Sequence, residues 1–184
     1  MKIREVIDKI DEHHLFVPAF QREYVWKRKD AKRLISSLIK DYPTGTMLTW
    51  ETTNPPELKG GYVYESTKGA VKLILDGQQR ITTLYLLITG EIPPYYKEEE
   101  ILNDVRGLYV NVETLTLEYY KKNQMESDPL WVDITDIFQG NVNVFDILEK
   151  FEAKNDSAEV SKDMQKLIYN NITSIDRIKD REFI

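Results

Sequence analysis

The chain has 184 residues, 41% hydrophobic and 30% charged, which supplies the apolar mass of one ordinary domain and excludes a disordered one. Acids outnumber bases 31 to 25, a net charge of −6, which argues against constitutive binding of nucleic-acid phosphates. With no cysteine, disulfide frameworks, thiol nucleophiles and cysteine-ligated zinc are excluded.

The first residues, MKIREVIDKIDEHH, mix both charge signs and hold no apolar signal-peptide core, so a cytoplasmic chain is expected. Ile3, Val6, Ile7 and Ile10 recur at helical spacing and predict a short amphipathic helix. LFVPAFQREYVW follows, rich in aromatic and β-branched residues with Pro18 inside, and suits an extended segment at a sheet edge. From Asp30 to Asp41 the apolar face Ala31, Leu34, Ile35, Leu38 and Ile39 predicts a second helix, ended by Tyr42-Pro43-Thr44-Gly45. TMLTWE reads as a strand and TTNPPELKGG as a loop. YVYES and VKLIL, around Thr67 to Ala70, predict a hairpin.

After Asp76-Gly77 a helix is expected, with Ile81, Leu84, Tyr85 and Ile88 inward. LYLLI is soon broken by Thr89, Gly90 and Glu91, far short of the roughly 18 apolar residues a membrane helix needs. The acidic run Glu98-Glu99-Glu100 reads as solvated, because adjacent acids point in different directions. GLYVNVET and TLEYY predict a second hairpin and LWVDI a further strand. Two helices follow from Val142, the second with a stripe at Met164, Leu167, Ile168, Ile172 and Ile175. The closing DREFI opens an apolar run and reads as the edge of a piece of a longer protein. A boundary near Gly90 to Pro94 divides an α/β core, residues 1–90, from an appended hairpin-plus-helices lobe, residues 91–184.

Familiar constellations are missing: no GxxxxGK[ST] phosphate loop, no GxGxxG and no HExxH. His13 and His14 are sequence neighbours, which is not the spacing of two ligands on one helix face. Asn155-Asp-Ser157 and Asn171-Ile-Thr173 match the glycosylation pattern, which has no meaning in a cytoplasmic chain. What remains is the joint inside LILDGQQRITTLYLLI. Gly77 permits a backbone that a Cβ would obstruct and lets a ligand approach the main chain. Gln78, Gln79 and Arg80 would open a helix whose unpaired N–H groups and positive dipole end attract anions. Arg80 adds a planar fork of donors suited to phosphate. Asp76 could hold Mg²⁺ through an oxygen or a bound water. The bland alternative has Asp76 capping the helix and Arg80 paired with an acid elsewhere.

FQREYVW is the second candidate, because Gln21 and Arg22 interrupt an apolar segment in the same way. If both Gln-Arg pairs face one cleft, two guanidiniums could share a polyphosphate, with Tyr24 or Trp26 stacked on a base. One basic patch, WKRKDAKR, gathers Lys27, Arg28, Lys29, Lys32 and Arg33, and reads first as a solvated helix face.

FVPAFQREYVW, YPTGTMLTW and LILDGQQRITTLYLL together resemble the N-terminal domain family of GmrSD-type restriction endonucleases, over about residues 1–90. They are more distantly similar to the ParB/sulfiredoxin-like fold. The resemblance implies an α/β, mixed-sheet core that binds and hydrolyses a nucleotide, and a C-terminal HNH-type nuclease that it regulates. Its DGQQR element falls on Asp76, Gly77, Gln78, Gln79 and Arg80, and its FQRxYxW element on Phe20, Gln21, Arg22, Tyr24 and Trp26. The later FxRxNxxG element and any nuclease motif are absent from these residues.

The expectation is therefore an NTP-and-Mg²⁺ module of a restriction or phage-defence protein, itself binding DNA weakly or not at all. Arg22, Arg80 and the helix N-terminus would hold phosphates while Asp76 or Gln79 orients metal or water. The rival is a non-catalytic interaction module whose Gln-Arg pairs only knit the two lobes together.

Overall fold

The computed structural model describes residues 1–154 and 160–184. It is a mixed helix-and-sheet fold built around two small sheets. The first helix, α1 (Ile3–Asp11), buries Ile3, Val6, Ile7 and Ile10, the face its spacing predicts. The Glu5 carboxylate reaches back to the Lys2 N–H at 2.9 Å and satisfies one donor of the helix start. The same device starts α2 (Arg28–Ile39), where Asp30 accepts from the Lys27 N–H at 3.0 Å.

The first sheet holds β1 (Leu15–Phe16), β2 (Leu48–Thr52) and β3 (Val71–Asp76) in the order β1-β3-β2. The central β3 runs parallel to β1 and antiparallel to β2, so the sheet is mixed. This corrects one expectation. YVYES forms no strand, and VKLIL pairs with the distant β1 and β2 instead of a neighbouring hairpin arm. Tyr62 goes to the Phe16 ring, 4.5 Å between centroids, and Val63 stays 78% exposed. The alternation of YVYES is thus used in side-chain packing, without a ladder.

At the end of β3 the chain enters α3 (Gln78–Thr89), closed by Gly90 in the left-handed region. Every residue of α3 from Ile81 to Ile88 is buried, so this is a central helix and not an amphipathic surface one. The second sheet is antiparallel, β4 (Leu108–Asn111) between β5 (Leu117–Tyr119) and β6 (Trp131–Asp133). The short α4 (Lys122–Met125) follows β5, and α5 (Ile134–Phe138) follows β6, capped by the Asp133 carboxylate at the Thr135 N–H. Then come α6 (Val144–Lys154) and α7 (Lys162–Asp176). Of the predicted α7 stripe, Ile168 and Ile175 are buried while Leu167 is exposed.

One hydrophobic core takes side chains from both sides of Gly90, from Ile3 to Phe183. A smaller one under β1 and β3 gathers Phe16, Leu58, Val71 and Leu73. The Asn155 pattern lies outside the described residues, and Asn171 ties α7 to the Val112 and Glu113 carbonyls. No helix among the described residues is long and apolar enough to cross a membrane.

Candidate functional site

Gly77 sits between β3 and α3 at φ +94°, a backbone that favours glycine. As the residue before the helix it offers no side chain to cap the first turn, unlike Asp133 before α5 or Ser161 before α7. The three polar residues that follow each reach a different piece of chain. Gln78 donates to the Tyr96 hydroxyl at 2.5 Å. Gln79 accepts from the Val25 N–H at 2.9 Å and donates to the Glu23 carbonyl at 3.0 Å. Arg80 donates to the carbonyls of Thr44 at 2.8 Å and Thr46 at 2.7 Å, with Asp76 3.9 Å away. In return, Gln21 donates to the Leu75 carbonyl at 2.8 Å, which draws the FQREYVW segment onto the end of β3.

These ties leave an open cleft of about 170 Å³ lined by Gln21, Arg22, Trp26, Asp76, Gly77, Gln78, Gln79 and Arg80. Both Gln-Arg pairs therefore face one opening, at the N-terminus of α3. Arg22 is exposed, and its guanidinium makes no hydrogen bond or ion pair among the described residues. Gln78 is 4% exposed, and its Oε1 is buried with no donor within reach. A buried acceptor without a partner carries a desolvation cost.

Two expected roles, those of Tyr24 and Gln79, change with the geometry, and the alternative for Arg80 is set beside them. Tyr24 is 1% exposed and lines the core instead of the cleft. Its hydroxyl shares a 2.7 Å hydrogen bond with Thr83, and burial pushes its pKa up to about 12, so it offers no face to a base. Gln79 has its acceptor and one donor occupied by the 23–25 backbone, which makes it a positioning residue. Arg80 does not pair with a buried acid. Its fork holds the 44–46 loop, with some donors left over at the cleft wall. Tyr96, which fixes Gln78, carried no sequence signal, since nothing in its spacing links it to the joint 18 residues earlier.

Asp76 is 68% exposed by its side chain and stands at the mouth of the cleft. Among the described residues no group of three or more His, Cys, Asp or Glu side chains could hold a metal. A lone carboxylate of this kind fits Mg²⁺ only in the manner of phosphate sites, where substrate oxygens and water complete the shell.

The model of the GmrSD restriction endonuclease N-terminal domain matches residues 3–183. The chain belongs to that family. The match runs through both Gln-Arg segments, the 44–46 loop and Tyr96, so the whole tied unit lies inside the GmrSD N-terminal domain. Among curated proteins, the uncharacterized protein MJ0686 of Methanocaldococcus jannaschii is 35% identical over 96 residues, covering 46% of this chain. The match takes in 16% of that protein, so the chain spans a small part of the relative it resembles.

Proposed function

We propose that this domain binds a nucleoside triphosphate with Mg²⁺ at the β3–α3 joint and hydrolyses it. In doing so it would regulate a nuclease carried by the full-length restriction or phage-defence protein in the cytoplasm. One observation carries the reading: two Gln-Arg pairs from distant segments line a single cleft at an uncapped helix N-terminus. At about 30 Å³ per water, 170 Å³ is room for about half a dozen waters, a phosphate-sized space. Phosphates would enter it and the base would lie outside, against the half-buried Trp26. Arg22 and Arg80 would supply the cation forks, and the first-turn N–H groups of α3 the dipole end. Mg²⁺, when bound, would neutralise phosphate charge. Asp76 would hold it directly or through water. The mixed β1-β3-β2 sheet with α3 leaving its centre is the part we assign to a ParB/sulfiredoxin-like core.

A second reading, a non-catalytic interaction module, is favoured by how many donors of Gln78, Gln79, Arg80 and Gln21 already serve neighbouring backbone or side chains. Thermal unfolding separates the two. A ligand that binds only the folded state, at about 100 times its Kd, adds roughly 2.7 kcal/mol. For a chain of this size that is a rise of several degrees. Such a rise with Mg²⁺ and one of the four common NTPs, with release of inorganic phosphate, supports the nucleotide reading. No shift with any of them leaves the interaction module.

A further inference from the structure

The 44–47 loop is bonded on both of its edges. On the inner edge the Thr44 and Thr46 carbonyls take the Arg80 guanidinium. On the outer edge the Gly45 carbonyl accepts from the Ile184 N–H at 3.1 Å, and the Met47 N–H donates to the Ile184 carbonyl at 3.3 Å. The Thr44 hydroxyl adds a third outer bond, to the Glu182 carbonyl at 2.5 Å. This alternation of inward and outward groups is that of a strand, with an arginine in place of one neighbour. The fit is close. Gly45 lies at φ +86°, and a Cβ there would collide with Arg80 Nη1.

We propose that Arg80 couples the cleft to the C-terminal segment 181–184. The guanidinium is shared between the cleft wall and the loop, and the loop is what the backbone of the segment docks on from that side, next to the Arg181 side chain on Asp41 and the Tyr42 carbonyl. An anion that takes the remaining donors at the cleft wall pulls on the same rigid guanidinium, and a charged acceptor makes the stronger hydrogen bond. Drawing the guanidinium outward leaves the Thr44 and Thr46 carbonyls short of donors, and Thr44 is buried, so the loop must shift. The other side of the segment is held independently, through the Phe183 N–H on the Met1 carbonyl and the Ile3 N–H on the Arg181 carbonyl. Release is therefore one-sided, a loosening and not an unfolding. The tie itself needs no ligand. Its use as a switch rests on the nucleotide reading proposed above.

The test is residue-resolved amide exchange on the 184-residue chain, first without ligand, comparing wild type with Arg80→Lys and Gly45→Ala. Lysine keeps the charge and loses the fork, while alanine at 45 pushes the guanidinium aside. Exchange at Met47 and Ile184 should quicken about tenfold or more, with Ile3 and the amides of α3 unchanged. Unchanged rates, or a uniform rise at all amides, overturns the coupling. Wild type is then read with saturating inorganic pyrophosphate and with Mg²⁺·NTP. Faster exchange confined to Met47 and Ile184 supports the switch. If bound ligand leaves those rates alone although the variants move them, the switch is overturned. If neither anion binds, the nucleotide reading fails and the ligand-free result for the tie still stands.

Discussion

The Gln79 carboxamide meets the backbone of Val25 at 2.9 Å, although 54 residues separate the two in sequence. With its bond to the Glu23 carbonyl, one side chain imitates the edge of a strand for a segment that has no strand beside it. Truncation would leave a donor and an acceptor of that segment unpaired. Gln79→Ala should therefore lose about 2 kcal/mol or more, and thermal melting should fall by about 4–8 °C. A melting temperature within a degree of wild type would contradict this positioning role.

Gln78 should behave differently. Its Nε2 is bonded to Tyr96, but its buried Oε1 has no partner. Replacement by Met removes both the bond and the stranded acceptor, and the two effects oppose one another. The expected cost of Gln78→Met is under about 1 kcal/mol, clearly less than for Gln79→Ala. Chemical denaturation of both variants under one condition makes the comparison, and equal losses would go against it.

The helices α1 and α2 were legible because their cause is local: the spacing of Ile3 to Ile10 and of Ala31 to Leu38 describes a buried face without knowledge of the partner. The joint was legible as polar residues between apolar runs. What those residues do was not. Gln79 and Val25, Arg80 and Thr44, Gln78 and Tyr96 are pairs made by the fold, and no periodicity announces them. YVYES failed for a related reason. Its alternation is that of a strand, but β3 found its partners at Leu15 and Leu48, far away in sequence. The short α5 was hidden because one turn and a half leaves no room for a pattern. Its Asp133 cap, two residues before the Thr135 N–H it holds, was the signal available.

Asp133 also gives a pH dependence. Burial raises its carboxyl pKa, against the hydrogen bond from the Thr135 N–H, and the charge of Asp136 adds to the rise. A folded pKa above the unfolded value means that folding favours the protonated form. This contribution is fully present below the ordinary value near about 4 and is lost as pH rises through the folded pKa. Asp133→Asn keeps a capping oxygen without the half-buried charge, so at pH 7 it should equal or exceed wild type in stability and flatten the pH profile above about 4. Asp133→Ala should lose about 1 kcal/mol. Urea unfolding from pH 4 to 7 reads all three, and an Asn variant as weak as Ala would refute the assignment.

The basic patch is less free than its sequence. Arg28 lies over the Tyr119 ring at 4.6 Å, and Lys32 pairs with Glu118 at 3.2 Å. Lys27, Lys29 and Arg33 remain exposed. Three phosphate contacts give a salt slope of about −2.7, and hence a loss of about 40-fold in affinity between 50 and 200 mM salt. Duplex DNA binding by this chain should accordingly be weak, insensitive to sequence, and gone at 200 mM salt in a fluorescence anisotropy titration. Tight binding that survives that salt would overturn the expectation.

The two arginines of the cleft should separate affinity from stability. Arg22 faces the same opening as Arg80, yet its guanidinium supports no neighbour among the described residues, whereas that of Arg80 holds two carbonyls. Arg22→Ala should leave melting within about 0.5 kcal/mol of wild type, as at an exposed site without special partners. If phosphates bind there, the lost charged hydrogen bond contributes about 1.5–3 kcal/mol, a fall in Mg²⁺·NTP affinity of about 10- to 150-fold. Arg80→Ala should lower both affinity and melting temperature, because the Thr44 and Thr46 carbonyls are left without the fork. Lys at position 80 should restore part of each, keeping the charge but serving one carbonyl in place of two. Calorimetric titration beside thermal unfolding gives both readouts on the same samples. Wild-type binding with an undiminished Arg22→Ala titration would remove Arg22 from the site. Loss of stability in Arg80→Ala, with no nucleotide binding by wild type, would leave the joint as a hub that ties three loops to α3.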